Sequence, residues 1–464
     1  MPKSSLSRRD LLKLGGATAI LSGCKSKAQA NSPPEVKGVI FMVSDGMSHG
    51  VLTMAENFSN IVHGKGTHWW KLIDNNDATH GLMETSSANS MVTDSAAASS
   101  AWGGGVKINN TTVNVRPDGT ESLPIMRQLK QLGHKTALVS TASITHATPA
   151  GFAAVTPNRD DEHLIAPQYL GVVDIILGGG MKFFDPRQRV DSRDAILPYQ
   201  ESGYDFLQDR DSLLKSKSEK LLGLFGKKHM EFEVDRLNDK ELKKSIPTLA
   251  EMSEVALKRL LPAKEKFLIQ IEGGRIDHGA HLNDIAGLLW DQLAFDDAIG
   301  KVLEMIQNRD DILLIVTSDH GNANPGLNGT GVKYKDSDEA FKKITRITSS
   351  HEKMIQDWRK QKSKDPVFLT TFIRKKLGIT LTPEETQTLL ASLTSKPFTE
   401  WSNQLSNPQG ILGQIVGNHT GIGWTGTSHT SDPTIISAFG SQSDRFHGIT
   451  PNQEIHRHLL ELLA

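Results

Sequence analysis

The chain has 464 residues, 37% hydrophobic and 23% charged, with 40 glycines and 19 prolines; this globular profile excludes a collagen-like or disordered polymer. Lysine and arginine total 52 against 53 aspartates and glutamates, so the formal net charge is −1 and no general basic field argues for a nucleic-acid partner. A single cysteine excludes a disulfide scaffold and a thiolate-built zinc site, leaving carboxylates and the 17 histidines to hold any transition metal.

The chain opens on an address. Ser7-Arg8-Arg9-Asp10-Leu11-Leu12-Lys13 has the form of a twin-arginine export signal, and the apolar run 14–20 that follows is too short to span a bilayer. Leu21-Ser22-Gly23-Cys24 has the form of a bacterial lipobox, whose cysteine is lipidated after cleavage; the alternative is an ordinary signal peptide with a coincidental cysteine. Residues 1–23 carry four cations and one anion, so their removal leaves a net charge of −4. Residues 24–34 read as a flexible lipidated tether and 35–464 as the folded body. The expectation is an exported protein, periplasmic or at the cell surface, anchored to a membrane through Cys24.

The body alternates strands with helices. Runs 36–44 (VKGVIFMVS), 136–141 (TALVST), 172–177 (VVDIIL), 267–271 (FLIQI) and 312–317 (ILLIVT) are near-continuous apolar segments, as strands buried on both faces require. Helical patterns lie between them at 124–132, 248–261 and 284–307, the first opening on a proline that a first turn tolerates. The expected fold is α/β: a doubly wound, mostly parallel central sheet flanked by helices, with an inserted cap or crown region. Sites in such sheets gather beyond the carboxyl ends of the strands. Asp45, Glu272 and Asp319 each fall at such an end; any one alone reads as an Asx turn or cap. Residues 182–247 form a charged excursion without a motif. The insertion, about 321–428, is charged and helical over 336–364 and then carries two amphipathic helices over 368–393, broken by Gly378 and Pro383. It reads either as a cap or dimer contact, or as a solvated surface excursion.

Within EGGRIDHGAH (272–281), Asp277 and His281 are four residues apart and share a face if a helix begins there. Asp319-His320 ends a strand, and His429 in Ser428-His429-Thr430 offers a further ligand, with His419 as a competitor. Mixed imidazole and carboxylate donors suit catalytic zinc better than structural zinc. Ser95 stands before a small-residue run, TDSAAA, where a helix N-terminus would favour an anion; an N-capping Asp-Ser pair is the plainer reading. No G-x-S-x-G elbow surrounds it, and a serine without an adjacent histidine base can be activated by a metal.

Seven segments, VSDGM (43–47), TDSAAASSAWGGGVK (93–107), THATPAGFAAVTPNR (145–159), DIILGGG (174–180), EGGRIDHGAH, TSDHG (317–321) and SHTSD (428–432), resemble the alkaline phosphatase family in kind and order. The resemblance implies hydrolysis of small phosphate monoesters, with Ser95 as the nucleophile that forms a phosphoseryl intermediate. It implies two Zn2+ ions and one Mg2+. Asp277, His281 and His429 match the ligands of one zinc; Asp45, Asp319 and His320 match those of the second, which also acts on the Ser95 hydroxyl. Asp45, Thr148 and Glu272 match the magnesium site, and Arg159 the arginine that grips phosphate through a planar fork. A homodimer is a further expectation. Three positions depart from the common pattern: Ser48 follows Met47, His146 stands where bacterial members often have aspartate, and His278 where some carry lysine. His146 is either a ligand that admits zinc or cobalt to the third site or a hydrogen bonder beside it. Competing readings are a diesterase or phosphomutase of the same superfamily, and a surface lipoprotein without activity that keeps the fold to bind metal or phosphate.

Overall fold

The computed structural model describes residues 35–395 and 402–464, so the export signal, Cys24 and the tether lie outside the described residues. In chain order the main strands are β1 (Gly38–Val43), β2 (Ala78–Glu84), β3 (Lys135–Ser143), β4 (Ile175–Gly179), β5 (Asp205–Leu207), β6 (Leu221–Leu224), β7 (Phe267–Glu272), β8 (Ile312–Thr317), β9 (Thr434–Gly440) and β10 (Gly448–Pro451). They form one ten-stranded sheet in the order β10-β2-β9-β8-β1-β7-β3-β4-β6-β5. β8, β1, β7, β3, β4, β6 and β5 run parallel, while β9 is antiparallel to both β8 and β2. This is the mostly parallel, helix-flanked sheet that the apolar runs predict.

Every residue of β1, β7 and β8 is buried, and alternate side chains feed two different cores. Ile40, Met42, Ile269, Ile271, Leu314 and Val316 pack toward the helices Leu249–Leu260 and Ile285–Ile306. Val39, Phe41, Leu268 and Ile315 face the other way, where Trp102 and Phe152 lie 5.1 and 5.5 Å from the Phe41 ring, centroid to centroid. Thr248 and Glu251 cap the first of these helices reciprocally, which sets its start where the sequence pattern begins.

The register decides where the chemistry goes. Val43 of β1 lies opposite Glu272 of β7 on one side and Thr317 of β8 on the other. The three strands therefore end level, and Asp45, Glu272 and Asp319 emerge at one edge. The chain passes from β7 to β8, across β1, through the helix Ile285–Ile306; this is where ligand sites open in doubly wound sheets.

Two charged regions differ from their reading in sequence. Residues 182–247 are not only an excursion: they supply β5 and β6, which extend the sheet in parallel beyond β4. The 321–428 insertion is not a solvated excursion, because Phe341, Ile344, Met354, Trp358, Leu369, Ile373 and Leu412 join the same core as β1 and β7. Its helical half is interrupted at 347–350, where Ser350 caps the helix His351–Lys360; the predicted pair follows as Pro366–Leu377 and Pro383–Leu393. The insertion leaves and returns through two antiparallel ladders, Gly321–Asn322 with His429–Thr430 and Gly326–Leu327 with Ile422–Gly423. Among the described residues, no helix is long and apolar enough to cross a membrane.

Candidate active site

Ser95 is the first residue of the helix Ser95–Gly104. The capping role falls to Asp94, whose Oδ1 accepts from Ala97 N at 2.8 Å and whose Oδ2 accepts from Thr111 N at 2.9 Å. That frees the Ser95 hydroxyl, and its Oγ lies 3.1 Å from His320 Nε2. The small residues of this helix have a packing cause: a Cβ on Gly103 would sit 1.9 Å from Gly151 O, so this helix and Ala147–Ala153 meet backbone to backbone.

The turn after β1 holds Asp45 against the loops after β7 and β8. Gly46 has φ +66°, and a Cβ there would lie 2.5 Å from Asp277 Oδ1. Its N–H donates to Asp319 Oδ1 at 3.0 Å. Ser48, one of the departures, ties this turn to the loop behind His320 by donating to Asn322 O at 3.1 Å and accepting from Asn322 N at 3.0 Å.

Three ligand clusters form at this edge, one of them containing His320, the neighbour of Ser95. In the first, Asp277, His281 and His429 have ligand atoms within 4.8 Å of one another. The helix Arg275–His281 brings Asp277 Oδ2 within 3.3 Å of His281 Nε2, as the four-residue spacing predicts. The two imidazoles are aimed through their other nitrogens: His281 Nδ1 donates to Thr427 O and His429 Nδ1 to Thr93 O, each at 2.8 Å. In the second, Asp45, Asp277 and His320 group together, and Asp319 Oδ2 lies 3.1 Å from His320 Nε2. Asp277 thus stands between the first two clusters, a position that the sequence reading gave only to the first. In the third, Asp45 and Glu272 are joined by His146, and Thr148 Oγ1 donates to Asp45 Oδ2 at 3.5 Å. His419 stays apart, its Nε2 3.2 Å from Glu385 Oε2.

The site is crowded with buried negative charge. Burial and the carboxylates of Asp319, Asp277 and Glu272 push the Asp45 carboxyl well above the usual range, and burial raises Glu272 to about 7. Burial would also lower the imidazole of His281, but Asp277 raises it to about 9. His429 is held down at about 4 by burial and by His320. Asp45 Oδ1, Glu272 Oε1 and His146 Nδ1 are buried without a hydrogen-bond partner among the described residues. Carboxylate oxygens and imidazole nitrogens, without sulfur and with atoms left unpaired, fit divalent cations.

Arg159 is built into the site. Its Nη1 donates to Asp94 Oδ2 at 3.1 Å, its Nη2 to His146 Nε2 at 3.2 Å, and its side chain is only 18% exposed. His278 Nδ1 accepts from Arg275 Nη1 at 3.0 Å, and Arg275 Nη2 donates to Glu352 of the insertion at 2.9 Å. His229 was not singled out in the sequence; its ring lies 4.3 Å from that of His278 and 5.8 Å from that of His146. Nothing in its own stretch, GKKHM, announces this, since the proximity comes from the strand order.

A doubly wound sheet whose edge gathers a helix-borne serine, an anchored arginine and three imidazole and carboxylate clusters defines a metal-dependent phosphoryl-transfer hydrolase. The alkaline phosphatase family model matches residues 36–464, and the chain belongs to that family. Alkaline phosphatase 3 of Bacillus subtilis is 28% identical over 475 residues, covering 100% of this chain and 96% of its own. The crystal structure of Thermus thermophilus alkaline phosphatase matches with a TM-score of 0.86 at 29% identity, over 96% of each chain. That of a cold-active alkaline phosphatase from the psychrophile Shewanella sp. matches with a TM-score of 0.76 at 25% identity, over 92% of this chain and 100% of that one. The chain is an enzyme that hydrolyses phosphate monoesters and uses divalent metal ions.

Proposed function

We propose that hydrolysis proceeds through a phosphoseryl intermediate on Ser95, with zinc held by Asp277, His281 and His429 and by Asp45, Asp319 and His320, and magnesium by Asp45, Thr148 and Glu272. The observation that carries this reading is the place of Ser95 Oγ: at a helix N-terminus, 3.1 Å from His320 Nε2, with Arg159 anchored alongside by Asp94. When bound at these residues, the cations would supply positive charge to the two oxygens exchanged at phosphorus and would lower the pKa of the serine hydroxyl. The chain does the rest. The helix N-terminus favours the phosphate dianion, and the Arg159 fork donates to two of its oxygens. Ser95 Oγ bonds to phosphorus as the ester oxygen leaves as the alcohol; water then attacks the same phosphorus, frees Ser95 and releases inorganic phosphate. Asp94 orients both the nucleophile and the phosphate-binding group, capping the serine's helix and holding the arginine.

The signal and lipobox motifs support export by the twin-arginine route and anchoring through lipidated Cys24; a Cys24→Ser variant would then lose lipid labelling and move to the soluble fraction. The test of the chemistry is phosphate release from p-nitrophenyl phosphate and from its bis ester at alkaline pH. Fast monoester cleavage, abolished by EDTA and restored by zinc plus magnesium, is expected; preference for the bis ester would overturn the monoesterase assignment.

A further inference from the structure

We propose that the alcohol part of the substrate enters a polar cavity beside the first cluster, and that this cavity selects phosphate monoesters of small polyhydroxylated alcohols, such as glycerol or a hexose. The proposal rests on the reading of Ser95 as nucleophile between two cation clusters, and it names the class of ester that this site takes.

The position of Ser95 decides which side of the site the alcohol occupies. Its Oγ lies 3.1 Å from His320 Nε2, in the second cluster. An in-line exchange places the attacking and leaving oxygens on opposite sides of phosphorus, with one cluster serving each. The ester oxygen therefore belongs beside the first cluster, and the alcohol beyond it. There a cavity of about 330 Å³ opens with His429 in its wall, large enough for a small alcohol. The rest of the wall comes from two segments of the returning insertion, within 403–407 and 425–430.

This wall is tied to the ligands. Asn407 caps the helix Pro408–Thr420 through Oδ1, which accepts from Gly410 N at 2.8 Å, while its Nδ2 donates to Thr427 Oγ1 at 3.1 Å. The Thr427 hydroxyl in turn lies 3.5 Å from Gln404 O, and Thr427 O accepts from His281 Nδ1. One residue thus joins both segments of the wall to a member of the first cluster.

The lining chooses the alcohol. Among the described residues no Asp, Glu, Lys or Arg lines the cavity, and its one ring is the imidazole of His429. A second phosphate or a carboxylate would find no cation there, and an aryl group would find no flat apolar partner. What the cavity offers is the carboxamides of Asn403 and Gln404 and the hydroxyl of Ser428, all exposed and none with a hydrogen-bond partner among the described residues. Each of these groups both donates and accepts, as the hydroxyls of a polyol do. A Cβ on Gly426 would lie 3.1 Å from Gln404 Oε1, so this carboxamide rests against the return segment instead of projecting away from it.

The experiment measures kcat/KM of the metal-loaded, full-length protein for glycerol 3-phosphate, glucose 6-phosphate and propyl phosphate, in the parent and in an Asn403→Ala/Gln404→Ala variant. Both positions are exposed and neither adjoins a ligand, and elemental analysis checks that metal content holds. The preference for the two polyol esters over propyl phosphate should fall about tenfold in the variant, the order of two lost hydrogen bonds. Comparing that preference between the two proteins cancels the different acidities of the alcohols. Calorimetry on the Ser95→Ala protein gives a readout without turnover: glycerol 3-phosphate should bind more tightly than propyl phosphate, and the difference should vanish when Asn403 and Gln404 are also alanine. An unchanged preference, or an equal loss toward all three esters, would overturn the role of the cavity alone. Release of phosphate from none of these esters, nor from p-nitrophenyl phosphate, would overturn the monoesterase reading beneath it.

Discussion

The two halves of the active site are built by different means. Asp45, Glu272 and Asp319 follow strands that end level, so three consecutive members of the sheet fix them at once. The first cluster leans on the insertion instead: His281 is aimed by Thr427 O, Asn283 Nδ2 donates to Gly426 O at 2.9 Å, and His429 arrives on the return ladder. The insertion also grips the start of the helix that follows the ligand helix, where His351 N donates to its cap, Asp284 Oδ2, at 2.6 Å. The ligands of one site thus rest on backbone register in one half and on a long-range return of the chain in the other. The first half should tolerate distant change, while the second should respond to it.

The largest effect should come from the group both halves serve. Ser95→Ala is expected to lower turnover at least about a thousandfold while metal content, read by elemental analysis, stays near that of the parent. Full activity in that variant would refute covalent catalysis.

Next is the scaffold that carries the second half. The helix Ile285–Ile306 buries Asp296, which accepts from His68 N at 2.7 Å and Trp69 N at 2.8 Å. Burial, aided by Asp297, raises its carboxyl from 3.8 to about 6. The folded state then holds this proton more tightly than the unfolded chain does. Its contribution to stability is full below about pH 4 and is lost as pH rises through about 6, a fall of about 3 kcal/mol. Urea unfolding in EDTA should show Asp296→Asn losing that much less stability than the parent between pH 4 and 7; parallel pH profiles would show that the carboxylate stays ionised.

Asn322 sharpens the contrast between the halves, since its Nδ2 donates to Asp277 Oδ1 at 2.7 Å from the loop where the insertion begins. Asn322→Ala should weaken zinc binding at the first cluster about 10–100-fold and leave magnesium binding near that of the parent. An equal loss of both metals would merge the two halves into one unit. The smallest effect belongs to His419: paired with Glu385, it should give a His419→Gln variant with zinc content and turnover within about twofold of the parent, whereas His429→Gln loses zinc.

The same division governs what could be read in advance. β1, β3, β7 and β8 were legible because burial on both faces leaves an uninterrupted apolar run, and their ends located three carboxylates. The i, i+4 spacing made Asp277 and His281 neighbours before any fold was known. β2 was missed because ATHGLME is half-buried and interrupted by glycine and histidine, and β5 and β6 because three or four residues between charged segments carry no period. His429 meets His281 across 148 residues; local pattern offered it as one candidate beside His419, and the family resemblance was needed to choose between them. His229 had no signal at all, since it reaches His278 through the order of strands in the sheet.

The most direct test of the account is to trap the intermediate: quench the zinc- and magnesium-loaded enzyme in acid during turnover of a labelled phosphate monoester, then map the labelled peptide. The account predicts phosphoserine at Ser95, absent from the Ser95→Ala variant. Label on another residue, or steady turnover with no phosphorylated peptide, would contradict it.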